Sequence, residues 1–148
     1  MPKKPTKRAP KPRSLPDKAS TLIRMAMKHL KSAERYPTKY RVDMAWWHQP
    51  QPNKTCAVCL AGAVMAREFR EPLTAYRSPD SYNKDTARKL RALNYFRMGV
   101  LDSAYQELNR NLPDGVAARF DIPSYEDSRA GLYTAMARLA NILEAAGD

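Results

Sequence analysis

Glycine and cysteine are scarce in this chain, at five and two residues among 148. The five glycines form neither a G-x-G-x-x-G pattern nor a Walker loop, so a glycine-built cradle for phosphates is missing. Two cysteines are too few to staple a secreted disulfide scaffold. Long apolar runs are also lacking. The longest, Cys56 to Ala66, has eleven residues and stops at Arg67, short of the roughly 18 that a membrane span needs. No apolar core follows the basic N-terminus, so no secretory signal is expected. Acidic residues are outnumbered, 15 against 26 Lys and Arg, for a formal charge of +11. The expectation is a soluble, basic, cytoplasmic chain with no membrane partner, its body a single domain.

Composition changes near residue 17. Pro2, Pro5, Pro10, Pro12 and Pro16 alternate with Lys3, Lys4, Lys7, Arg8, Lys11 and Arg13. Proline fixes φ and removes donors, and Leu15 is the only large apolar residue there, so residues 1–16 read as a disordered basic arm. The arm carries six of the eleven net charges.

Residues 17–148 read as helices. Asp17 or Ser20 can cap a first helix reaching Tyr36, with Leu22, Ala26, Leu30 and Ala33 as its apolar stripe. Alternation over 38–48 suggests a short extended segment. Thr55 can cap a second helix from Cys56 to about Phe69, and Asp85 a third through Met98, with Ala87, Leu90, Leu93 and Phe96 inward. Gly99 ends that helix and a fourth runs from Val100 to Asn109. The last starts at Ser124, with Asp127 three residues on, and buries Leu132, Met136, Leu139 and Leu143. The expected fold is all-α: a compact bundle of about five helices with room for one short hairpin.

Cys56-Ala-Val-Cys59 is the most visible chemical motif. Thiols at a helix start can have depressed pKa values and act as a redox pair, but the βαβ context of such sites is missing. With His48 and His29 the two cysteines make up a Cys₂His₂ zinc set, though without ligand spacing that supports it. The simpler reading is core, with Cys59, Gly62, Ala63 and Ala66 as a small-residue face that admits another helix. No base and orienting group accompany a Cys or Ser nucleophile, so neither catalytic residues nor a cofactor are expected.

Positive charge is arranged as well as abundant. Arg24, Lys28, Lys31 and Arg35 form one stripe on the first helix, and Lys84, Arg88, Arg91 and Tyr95 another on the third, with Lys89 alongside. Such faces suit phosphates, and an aromatic ring suits base stacking; an ordinary solvated face is the plainer alternative. Trp46 and Trp47, adjacent in an extended segment, point to opposite faces, and one of them would suit a protein partner.

Trp47 followed by Cys56-x-x-Cys-Leu-Ala-Gly-Ala-Val-Met-Ala66 resembles a motif in short phage-encoded proteins of unknown function, over about residues 40–70. The resemblance implies a phage or mobile-element origin and a host cytoplasmic setting. The expected activity is non-enzymatic binding of DNA, RNA or an acidic host protein through the arm and the basic helix faces. The alternatives are a protein–protein inhibitor anchored by Trp46 and Trp47, or a small thiol or zinc protein built on Cys56 and Cys59.

Overall fold

The structure, a computed structural model, describes residues 14–148. Five helices account for about half of it: α1 (Ala19–Glu34), α2 (Leu60–Glu68), α3 (Lys84–Met98), α4 (Leu101–Leu108) and α5 (Arg129–Ala145). Three short strands join them, β1 (Tyr40–Val42), β2 (His48–Pro50) and β3 (Cys56–Val58). The fold is therefore α+β, not the expected all-α bundle.

The strands form one mixed sheet in the order β1-β3-β2, with β3 parallel to β1 and antiparallel to β2. Every residue of β3 is buried. A strand covered on both faces shows an unbroken apolar run instead of alternation, and β3 runs into the apolar start of α2. That is why residues 56–69 read as one helix. Cys59 marks the true start of α2, as an N-cap whose sulfur accepts the Gly62 N–H at 3.4 Å. Pro50 is tolerated because β2 lies at a sheet edge, where a missing N–H does least harm.

The helical stripes pack as their spacing predicts. Leu22, Ala26, Leu30 and Ala33 of α1, Leu90, Leu93 and Phe96 of α3, and Leu132, Met136, Leu139 and Leu143 of α5 are all fully buried. α1 and α3 pack against α2, which is buried from Leu60 to Ala66, and α5 packs on the other two helices. The neighbour admitted by Gly62 is not another helix but the main chain at Trp47, whose carbonyl oxygen would lie 1.6 Å from an added Cβ.

Several helix starts move from their expected places. Asn83 caps α3 by accepting the Thr86 N–H, and Ser128 caps α5 by accepting that of Gly131. Ser124 instead holds the turn before α5, through the Asp127 N–H. No side chain of its own segment caps α1; Asp148 does, its carboxylate accepting from the Ala19 N–H and its main-chain oxygen from that of Ser20. Leu15, which composition places in the arm, belongs to the core at 2% exposure.

Candidate nucleic-acid interface

The first-helix stripe survives folding as a surface feature. Arg24, Lys28, Lys31 and Arg35 are exposed. With Met27 and Ser32 they line a groove of about 400 Å³ along α1. Arg24 is bonded to Glu144 and, at 2.8 Å, to Asn141. No carboxylate among the described residues pairs with Lys28, Lys31 or Arg35. The Lys31 ammonium lies 4.8 Å from the centre of the Tyr133 ring. Lys31 and Arg35 also sit at the C-terminal end of α1, where cations complement the helix dipole.

Beyond the groove the positive surface continues through residues that spacing did not single out. Tyr36 is 44% exposed, with the Lys39 ammonium 5.6 Å and the Arg67 guanidinium 5.7 Å from its ring centre. Tyr36 falls just past the end of α1, and Arg67 arrives from α2, so only folding brings them together.

The third-helix stripe does not form a comparable face. Lys89 is buried, its ammonium bonded to the Leu15 carbonyl at 2.8 Å, to Asp17 at 2.7 Å and to Asp85 at 3.0 Å. Burial opposes that charge, but the hydrogen bonds to Asp17 and Asp85 prevail and hold the ammonium above its usual range. Arg91 is paired with Glu107 at 3.0 Å and with Asp80 at 3.4 Å. Arg88 is half-buried beside Asp17 and Asp85, and Tyr95 packs against the core. Only Lys84 of that stripe is exposed. Lys3, Lys4, Lys7, Arg8, Lys11 and Arg13 lie outside the described residues.

No protein-family model matches the chain, and no curated protein or solved structure matches it.

Cys56 and Cys59 are free and buried. Burial pushes the Cys56 thiol up to about 11, with a main-chain hydrogen bond at Gln49 only partly opposing it, and raises Cys59 as well. An activated thiol would shift the other way. His48 lies within 3.5 Å of the Cys56 sulfur, but its Nδ1 meets the Ala75 carbonyl oxygen at 2.7 Å and its buried Nε2 has no partner among the described residues. His29 is bonded to Glu68 at 3.0 Å. Among the described residues, no three His, Cys, Asp or Glu side chains are grouped as metal ligands would be. Trp46 is 46% exposed, in the turn before β2, whereas Trp47 packs against the core.

Proposed function

We propose that this protein is a non-enzymatic accessory protein of the phage type, binding nucleic acid without base specificity along the α1 groove. The observation that carries the reading is that Lys28, Lys31 and Arg35 line one groove with no carboxylate partner among the described residues. Cations so placed can exchange counterions on a phosphate backbone, which makes affinity fall steeply with salt. Tyr36, exposed beside Lys39 and Arg67, supplies a ring next to the phosphate track. The basic residues of the arm add reach and charge. No motif for reading base edges is present, which favours binding to backbone over binding to sequence.

Lysine footprinting tests this directly. Acetylation of Lys28 and Lys31, read by mass spectrometry, should fall when a single- or double-stranded oligonucleotide is added, while exposed Lys54 stays accessible. Equal labelling of all three with and without oligonucleotide would rule the groove out. One observation favours a second reading, in which the exposed Trp46 ring anchors a protein partner. Binding would then be nearly insensitive to salt and lost in Trp46→Ala, not in Lys28→Gln.

A further inference from the structure

A second cleft lies beyond Tyr133, and the groove reading leaves it without a role. It encloses about 400 Å³, within the usual range for small-molecule sites, and its walls come from four separate segments. Glu34 ends α1, Tyr40 and Arg41 belong to β1, Thr55 leads into β3, and Tyr125 and Arg129 enter α5.

Glu34 organises the cleft without being free to act in it. One carboxylate oxygen accepts from the Tyr133 hydroxyl; the other accepts from the Tyr125 hydroxyl at 2.8 Å and forms an ion pair with Arg129 Nε at 2.9 Å. Burial, and then these bonds to Glu34, raise both phenols, so they stay protonated donors at neutral pH. With both oxygens engaged, Glu34 is poorly placed to serve as a cation ligand or a general base. Its effect is to hold two rings and a guanidinium in fixed positions.

The lining of the cleft carries two guanidiniums, Arg41 and Arg129, against the one carboxylate of Glu34. Arg129 is the first residue of α5, where the helix dipole already favours an anion and makes a cation costly. Its Nε is engaged by Glu34, but its two terminal nitrogens have no acceptor among the described residues. The guanidinium lies 5.1 Å from the Tyr125 ring centre, an arrangement that keeps its orientation. On the same cleft Arg41 is 67% exposed and meets Asp43 only at 3.6 Å, a loose pair that a stronger anion can displace. Two guanidiniums match a phosphate through paired N–H donors. The Tyr40 hydroxyl has no hydrogen-bond partner among the described residues, and the Tyr40 and Tyr125 rings offer flat apolar surface.

We propose that this cleft binds a phosphate monoester bearing a flat organic group, with the phosphate between Arg41 and Arg129 and the flat group against the tyrosine rings. A free mononucleotide and the phosphorylated end of a nucleic-acid strand share that chemistry.

Titration calorimetry on the full chain separates the outcomes. The probes are adenosine 5′-monophosphate, adenosine, and one short oligonucleotide with either a 5′-phosphate or a 5′-hydroxyl. The phosphate should strengthen nucleotide binding by roughly tenfold, and Arg41→Gln should abolish most of that gain. Arg129→Gln should do the same, with circular dichroism confirming its fold; Arg41, being exposed, carries the test if that variant unfolds. A 5′-phosphate advantage in the oligonucleotide assigns the strand end as the natural ligand, whereas an advantage confined to the mononucleotide assigns the free species. Lys28→Gln with Lys31→Gln should leave mononucleotide affinity unchanged, which separates this cleft from the groove. The proposal is overturned if phosphate confers no advantage in either pair, or if Arg41→Gln retains it in full.

Discussion

Lys89 and Lys28 both count among the basic residues of the helix faces, and they play opposite parts in the folded chain, Lys89 buried and Lys28 exposed. The Lys89 ammonium ties the Leu15 carbonyl to α3 and meets Asp17 and Asp85, so its loss leaves a core segment without its tether. Lys89→Met should lower stability by about 2 kcal/mol in urea unfolding and leave nucleic-acid affinity unchanged, whereas Lys28→Gln should do the reverse. A stable Lys89→Met protein that no longer binds would contradict both assignments. His48 gives a pH signature at the same scale. Burial, opposed by the bond to Ala75 and by Glu71, holds its pKa below the ordinary 6.5. The unfolded chain therefore takes up the extra proton first as pH falls. The stabilisation is complete above the unfolded value and is lost as pH drops through the lower folded one. Moving from about pH 7 to about pH 5 should lower the urea midpoint, and His48→Gln should flatten that decline. Identical slopes in the two proteins would show that His48 is not held neutral by the fold.

At the scale of elements, the packing of α2 on the turn before β2 leaves no room for a side chain. An added Cβ on Gly62 would meet the Trp47 carbonyl oxygen, a main-chain atom that cannot swing aside. Gly62→Ala should therefore destabilise the protein by about 3 kcal/mol or more, read as a lower melting temperature; an unchanged value would mean the two segments are not so close. The same region shows what is legible in sequence. The stripes of α1, α3 and α5 can be read because a helix repeats its buried face every three or four residues, and long repeats are hard to mistake. Of the sheet only the extended stretch over 38–48 is legible, where β1 and the start of β2 lie; β3 is not, because it is apolar on both faces and runs into α2. Small residues around Gly62 correctly signal close approach but not what approaches. The cap of α1 is illegible for a different reason: it comes from Asp148, at the far end of the chain.

Across the whole molecule, positive charge is divided between cations that hold the fold and cations left facing solvent. The two cannot be told apart by spacing, since the carboxylates that neutralise Arg91 and Lys89 include Glu107 and Asp17, outside α3. The Glu34 cleft is wholly hidden from a reading of the sequence, since Glu34, Arg41 and Arg129 are too far apart along the chain to form a motif. The α1 groove is the part of the site that spacing does reveal, and it carries the functional reading. The most direct test is fluorescence anisotropy of labelled DNA and RNA over a salt series, comparing the native chain with Lys28→Gln/Lys31→Gln and with a chain lacking residues 1–13. Affinity should fall steeply with salt, and the double variant should reduce the slope of log affinity against log salt by roughly two, about one for each phosphate left without its lysine. Removal of residues 1–13 should lower it further. Native and double-variant proteins with the same slope, or with no measurable binding at physiological salt, would contradict the account.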